Sequence, residues 1–467
     1  MAEQADAFDA GALIDGAPIG AFQCMVCALG ALVLFVDGFD TQAIGFVGPQ
    51  LARLWHIPHD MLGYLFSSAL VGLMIGYLVI APLSGRFGAR RVVIARVASF
   101  GVLSILATTA HGIAGLMVYR LLTGIGLGGA IPAAVALTGE YAPLRWRSSF
   151  ITWMYCGLTL GQIAAGLVSI AVLQRYGWRG VLWVGGALPL LHAALMAAIL
   201  PESLEFMVRS QAPRGRILAV LGRVRRGVAV PAGAAIVAGA RASQGTSVTR
   251  LFDAGRGYGT IAIWIALFMN LLVFFFFGNW LPTILTEAGY SARGAISGTA
   301  IALGGGLLAA AVLGPLMDRL GPYRVLTVLF LGGALFIALI GASEATTSAI
   351  LVATAFCAGF CISGIQKCVN ALAIFFYPVS VRSTGLGWGL GVGRIGAIIG
   401  PSATGLLLVA GWSTASVFYA AAVPMLIGAA AMAAMGRRYR GGTADAPRAA
   451  AAVVRSLATA GGPGSAA

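Results

Sequence analysis

The chain consists of long apolar stretches separated by short polar connections, and this alternation leaves few possible folds. A helix of about 20 apolar residues crosses a bilayer. Because backbone polar groups in lipid must be satisfied within the chain, helices are the structures that continuous apolar stretches form there. Twelve such stretches lie near residues 22–48, 61–84, 92–110, 113–140, 148–173, 178–200, 258–286, 294–317, 323–342, 347–376, 382–410 and 414–436. The sequence therefore predicts an all-α polytopic membrane protein with 12 transmembrane helices.

The composition excludes an ordinary water-soluble enzyme. Hydrophobic residues make up 59% of the chain and charged residues 10%, whereas soluble proteins carry about 25% charged residues. The four histidines, His56, His59, His111 and His192, are scattered without metal-ligand spacing. The six cysteines fall inside apolar stretches, where they are typical of small hydrophobic residues. We expect no enzyme activity, no metal and no cofactor.

The basic residues indicate membrane topology rather than binding to nucleic acid, although the net charge is +15. With the N-terminus placed inside, 22 of the 30 Lys and Arg residues fall in cytoplasmic segments and 4 in outside loops. Basic residues accumulate in cytoplasmic loops, so we expect both termini in the cytoplasm. The expected divisions are an N-terminal tail (1–20), a six-helix bundle (21–200), a central cytoplasmic loop (201–257), a second six-helix bundle (258–436) and a disordered C-terminal tail (437–467). The central loop is also expected to be poorly ordered.

The two halves of the chain repeat one another. A shift of 233 residues places Asp37 on Asn270 and Gly72 on Gly305, and it places the segment 81–88 on 314–321. A shift of 235 aligns Arg147 with Arg382. Parallel repeats of this kind imply two bundles that rock about a central site.

The basic turn Leu83–Arg91 resembles the cytoplasmic signature of the major facilitator superfamily. It departs from that signature at Gly85, where an acid is usual, whereas the second copy keeps Asp318. The resemblance implies a conformational gate on the cytoplasmic side, formed by Arg86, Gly88, Arg90, Asp318, Arg319 and Gly321.

Within that superfamily the chain resembles the aromatic acid:proton symporters. The resemblance is carried by Asp37–Asp40, Arg120–Gly129, Leu200–Glu205 and Tyr377–Gly396. It implies a monomeric transporter in the bacterial inner membrane, with an aromatic carboxylate and protons as its partners besides the lipid bilayer.

Two acids and one arginine lie deep within spans of the first half. A charged side chain there costs about 2.5–3.5 kcal/mol of free energy or more. Two acids on one helix, Asp37 and Asp40, therefore indicate a specific role. Their i, i+3 spacing puts them on one face, where two close carboxylates bind protons as a pair. Arg120 in the fourth span is expected to pair with them or with an anionic substrate. The alternatives are structural bridges between neighbouring helices.

The second half carries two buried cations. Lys367, the only lysine, lies in the tenth span between Gln366 and Asn370, and Arg394 lies in a glycine-rich part of the eleventh. The resemblance marks Arg394 as functional in the family. Lys367 is predicted to bind a carboxylate or to face Asp37 or Asp40, and Arg394 could instead bond to backbone carbonyls. The substrate-binding candidates are Lys367, Arg394, Gln366, Asn370 and Asn270.

These residues favour a proton-coupled importer of an aromatic carboxylate such as a hydroxybenzoate, driven by the proton gradient. Asp37, Asp40 and Arg120 would couple transport to the proton. Two alternatives stay open at this point. The same acids would serve a proton antiporter that exports drugs or organic anions, and a membrane sensor would bind the ligand without transporting it.

Overall fold

The computed structural model describes residues 7–79, 87–225, 230–231, 234–237, 248–253, 255–287, 289–342, 348–378 and 381–439. Helices dominate, because apolar segments in lipid satisfy their backbone groups internally. In the N-terminal part the elements are β1 (Ala7–Asp9), α1 (Ala10–Asp15), α2 (Ala21–Trp55), α3 (His59–Val79), α4 (Ala89–Ala107), α5 (Ile113–Gly128), α6 (Ala130–Tyr141), α7 (Arg147–Ile199), α8 (Leu204–Arg209), α9 (Arg214–Val224) and β2 (Ala235–Val237). In the C-terminal part they are α10 (Gly257–Glu287), α11 (Ala292–Leu320), α12 (Pro322–Ala342), α13 (Ser348–Phe376), α14 (Arg382–Val409) and α15 (Thr414–Tyr439).

The helices give the twelve predicted membrane crossings. In the described part of the chain, ten helical segments are long and apolar enough to span a bilayer, and the segment Ile113–Tyr141 joins α5 and α6 into one of them. The 53-residue α7 is two crossings, because Gly177 inside it has φ 65° and ψ −168° and breaks the helix. The remaining crossing is α4, which carries three arginines and is less apolar. The prediction of an all-α, twelve-helix membrane protein is confirmed.

Close helix packing recurs at equivalent positions of the two halves. A side chain at Gly124 in α5 would overlap the backbone carbonyl of Ala69 in α3. A side chain at Gly359 in α13 would likewise overlap the carbonyl of Ala302 in α11. These pairs correspond in the sequence repeat, and small residues allow such close approach between membrane helices. The duplication seen in sequence is therefore also a duplication of helix packing.

The two halves meet on the side of the bundle away from the chain termini, called the far side below. Gln42 Nε2 donates a hydrogen bond of 2.6 Å to the carbonyl of Gly278. Ser67 Oγ donates to the carbonyl of Ile398 at 2.7 Å and receives a bond from Ser402 Oγ at 2.8 Å. These contacts join α2 and α3 to α10 and α14, so the bundle is closed on its far side.

Parts of the N-terminal tail and of the central stretch are folded on the side of the termini. Strands β1 and β2 pair in parallel, with Phe8 opposite Ile236. The side chain of Asp9 accepts hydrogen bonds from two backbone N–H groups of α1, as an N-cap does. Helix α9 buries Ile217 and Leu221 against the first half, because its apolar residues recur at helical spacing. The expectation that the central stretch is poorly ordered is wrong for these described residues.

Candidate functional site

Asp40 and Arg120 form a buried ion pair inside the first half. Asp40 lies in the middle of α2 and Arg120 in α5, and both side chains are almost inaccessible to solvent. Arg120 Nη1 lies 2.5 Å from Asp40 Oδ1, and Arg120 Nη2 lies 3.5 Å from the backbone oxygen of Asp40. The charges of Asp40 and Arg120 thus neutralise each other within the first half.

Asp37 lies one helical turn before Asp40, within electrostatic range of a cation from each half. These cations are Arg394 of α14, which has the larger effect, and Arg120 of α5. Arg394 Nη2 is 3.5 Å from the hydroxyl of Tyr77 in α3. The Arg394 guanidinium also lies 5.6 Å from the ring centre of Tyr77 and 5.9 Å from that of Phe275 in α10, within the range of cation–π attraction. Arg394 therefore lies between the halves, with one acid and two aromatic rings around it.

Lys367 approaches the same central region from α13. Its Nζ donates a hydrogen bond of 2.8 Å to the backbone carbonyl of Gly306 in α11. The Cys156 thiol of α7, in the first half, is within electrostatic range. None of the three ion pairs among the described residues includes Lys367. Its positive charge is therefore held by a backbone dipole, not by a carboxylate.

The amide candidates differ in their surroundings. Asn370 lies one turn after Lys367, and its Oδ1 is buried without a hydrogen-bond partner, whereas Gln366 is half-buried. Asn270 is fully buried in α10 and neither polar atom of its side chain has a partner. No contact joins Asn270 to Asp37, Arg394 or Lys367 in the described structure. Asn370 is thus near the cations, and Asn270 is a separate buried amide.

Two tyrosines belong to this region but were not among the residues singled out from the sequence. Tyr77 contacts Arg394 directly. Tyr155 in α7 lies within electrostatic range of Arg394 and Asp37. Both are hydroxyl-bearing residues within apolar spans, which is a signal in the sequence, but that signal does not specify the helix face. The region formed by Asp37, Asp40, Arg120, Tyr77, Tyr155, Phe275, Lys367, Asn370 and Arg394 is called the central site below.

The predicted gate residues take different positions in the two halves. Gly88 begins α4 with φ 92°, and Glu202 lies against it: Glu202 Oε1 accepts hydrogen bonds of 3.0 Å from the backbone N–H groups of Arg90 and Ser203. A carboxylate at a helix N-terminus is stabilised by the helix dipole. Arg90 also donates to the carbonyl of Ala197 at 2.6 Å. Glu202, in the Leu200–Glu205 segment, is a residue that the sequence did not mark as part of the gate.

The second-half copy of the gate is uncovered. Gly321 ends α11 with φ 84°, and Asp318 and Arg319 are exposed. Arg86 lies outside the described residues. Among the described residues, no group of three His, Cys, Asp or Glu side chains could hold a metal ion.

Comparison with known proteins identifies the family and its relatives. The family model described as the Major Facilitator Superfamily matches residues 30–311 and 263–461. The chain is 36% identical over 434 residues to the 4-hydroxybenzoate transporter PcaK of Pseudomonas putida, covering 93% of this chain and 96% of that protein. It is 37% identical over 424 residues to a gallate transporter of Pseudomonas putida, covering 91% of this chain and 94% of that protein.

A solved structure of the xylose transporter XylE from E. coli, in a partially occluded inward-open conformation, is similar in fold. The TM-score is 0.67 at 18% identity, over 88% of this chain and 99% of XylE. At this identity the likeness concerns the fold alone.

Proposed function

Because this chain belongs to the major facilitator superfamily, we propose that it imports an aromatic carboxylate, such as a hydroxybenzoate, together with a proton. As a member of that family it is a multi-pass membrane transporter and not an enzyme. The names of its relatives, transporters of 4-hydroxybenzoate and gallate, support an aromatic acid as the substrate. The excess of arginine on the side of the termini supports cytoplasmic termini in a bacterial inner membrane.

One observation carries the proposal: Arg394 of the second half lies within electrostatic range of Asp37 of the first half. A substrate carboxylate that binds Arg394 takes the place of Asp37 as the counter-ion of this arginine. Asp37 then keeps only the weaker attraction of Arg120 in a desolvated position, a situation that favours its protonated form. Substrate and proton therefore assist each other's binding, and by linkage this assistance is reciprocal.

Asp40 has a different role in this scheme. Its partner Arg120 belongs to the same half and forms a short ion pair with it, so movement of one half against the other leaves the pair intact. Asp37 is therefore the proton carrier, and the pair of Asp40 and Arg120 holds α2 and α5 together around it. Of the two predicted carboxylates, Asp37 thus carries the proton and Asp40 has a structural role.

The aromatic surroundings of Arg394 suit a ring acid. Tyr77 and Phe275 line the guanidinium, so a benzoate carboxylate bound to Arg394 has aromatic faces beside it. Aromatic rings attract one another in offset or edge-to-face arrangements. This environment favours an aromatic carboxylate over a small aliphatic one.

Alternating access completes the proposed cycle. With the far side closed and the termini in the cytoplasm, the described state is closed towards the cell exterior. Substrate leaves, Asp37 loses its proton and Arg394 becomes its partner again. The exposed Asp318 and Arg319 are available to join the halves on the cytoplasmic side when the bundle reopens outward, as the family resemblance implies for this gate.

Uptake into proteoliposomes tests the proposal. We expect labelled 4-hydroxybenzoate to accumulate in vesicles when a proton gradient is directed inward, and unlabelled benzoate to compete. Asp37→Asn is expected to abolish gradient-driven accumulation while still exchanging substrate across the membrane, because the neutral side chain resembles the protonated carrier. Asp60→Asn, which alters an acid at the start of α3 outside the central site, is the matched control. Full accumulation by Asp37→Asn would contradict the proposal.

A further inference from the structure

The two cations of the second half occupy different positions around α7. Arg394 interacts with Tyr155, and Lys367 interacts with the next residue, Cys156. Adjacent residues of an α-helix project about 100° apart. Arg394 is bordered by α3 and α10, whereas Lys367 is held against α11 at Gly306. The central site thus offers two separate polar positions.

The Lys367 position has hydrogen-bond donors to spare. An ammonium group has three donors, and one of them is used by the carbonyl of Gly306. A side chain at residue 306 would come within 2.8 Å of Ser363 Oγ and 3.6 Å of Lys367 Nζ. Glycine there makes room for Ser363, and the hydrogen bond to the Gly306 carbonyl holds the ammonium against α11.

An unpaired acceptor lies one helical turn along α13 from Lys367. Asn370 is three residues after Lys367, and this spacing puts both on one face of α13. The Oδ1 atom of Asn370 is buried and has no hydrogen-bond partner. Buried polar atoms are rarely left unpaired, and an exception calls for an explanation such as an absent ligand.

We infer that Lys367 and Asn370 form a second subsite that recognises a hydroxyl group on the ring of the substrate, an inference that rests on the proposed function. A ring hydroxyl accepts a hydrogen bond from Lys367 and donates one to Asn370 Oδ1. A second carboxylate, which only accepts, leaves Asn370 unpaired, and an unsubstituted ring leaves Asn370 and the free donors of Lys367 without a partner. Arg394 binds the carboxylate, and the subsite on α13 selects hydroxylated ring acids over benzoate. Lys367 and Asn370 are therefore specificity-determining residues.

Binding of matched ligands to the purified full chain tests this subsite. Dissociation constants are measured by titration calorimetry for benzoate, 3-hydroxybenzoate and 4-hydroxybenzoate. The hydroxybenzoate that binds more tightly is then compared with benzoate. The wild type is expected to prefer the hydroxylated acid by about tenfold, the scale of a net neutral hydrogen bond. Asn370→Ala is expected to weaken binding of the hydroxylated acid about tenfold and to change benzoate binding less than twofold. Lys367→Met is expected to remove the preference as well.

Cys361→Ala is the matched control, because Cys361 is a buried residue of the same helix that lies before the subsite and has no part in it; it should keep the preference. The melting temperature of each variant reports whether it is folded. Equal weakening of both ligands by Asn370→Ala, or a wild type that binds both acids equally, would overturn the subsite and leave the proposed function standing. A wild type that binds neither acid would instead overturn the proposed function itself.

Discussion

The two halves of this transporter share one helix arrangement but hold different charges. In the first half, Asp40 and Arg120 neutralise each other within the same bundle. In the second half, Lys367 and Arg394 have no acid of their own half as a partner among the described ion pairs, and Arg394 faces Asp37 across the interface. The duplicated scaffold therefore carries divided chemistry, with two acids and their arginine in the first half and two cations without an acid of their own half in the second.

The largest expected effect concerns the ion pair within the first half. Arg120→Gln leaves Asp40 buried without its partner, and breaking such a pair costs about 3–5 kcal/mol. We expect a large loss of thermal stability, measured by intrinsic fluorescence in detergent. The double variant Asp40→Asn/Arg120→Gln removes both charges and should recover much of this loss. A single variant as stable as the wild type would show that the pair contributes nothing to the first half.

The next effect concerns the cation that bridges the interface. Arg394→Gln removes the group proposed to bind the carboxylate and the stronger of the two cations that act on Asp37, and truncation of such a buried charged partner typically costs about 2–5 kcal/mol. Uptake at subsaturating substrate is expected to fall at least about thirtyfold. Arg394→Lys keeps the charge but not the planar fork, so we expect it to recover only part of the uptake. Unchanged uptake by Arg394→Gln would place the carboxylate elsewhere.

A third comparison uses two glycines at equivalent positions of the halves. Gly88 and Gly321 have φ of 92° and 84°, a backbone region that costs other residues about 1–3 kcal/mol. A side chain at Gly88 would also come within 2.7 Å of Glu202 Oε2, whereas nothing lies within 4 Å of a side chain at Gly321. Gly88→Ala is therefore expected to lower the melting temperature more than Gly321→Ala, since it also displaces the carboxylate that caps α4. Equal losses would mean that this cap adds no stability.

The fold could be predicted from the sequence because a long apolar stretch in lipid satisfies its backbone groups by forming a helix. The internal repeat also showed that the two halves are related. The sequence also located Asp37, Asp40, Arg120, Lys367 and Arg394, since a charge within a span is expensive. Arg120 was expected to pair with these acids, but the acid that it meets could not be predicted: the i, i+3 spacing put Asp37 and Asp40 on one face, whereas helix rotation and tilt decide which arginine each acid meets. For the same reason Tyr77 and Tyr155 were missed.

The smallest expected effect lies on the far side, where the halves are joined by an exposed pair. His59 Nε2 at the start of α3 is 2.9 Å from Glu287 Oε1 at the end of α10, and the His59 ring stacks over Trp280 at 6.1 Å. Exposed ion pairs contribute about 0.2–1 kcal/mol, so His59→Ala should shift the balance towards the far-side-open state by no more than about fivefold. Distances between spin labels on the far ends of α3 and α10 measure this shift.

Ser67→Ala is the companion variant for this test, because Ser67 joins the halves through two buried or half-buried hydrogen bonds. Water competes less well for these hydrogen bonds than for an exposed pair. Their loss should therefore change the distances between the spin labels more than the loss of the His59 side chain does. If His59→Ala had the larger effect, the exposed pair and not the interior contacts would hold the far side closed. The closure would then depend on two side chains at the surface, one from each half, just as the electrostatic interaction of Asp37 with Arg394 relates the halves at the centre.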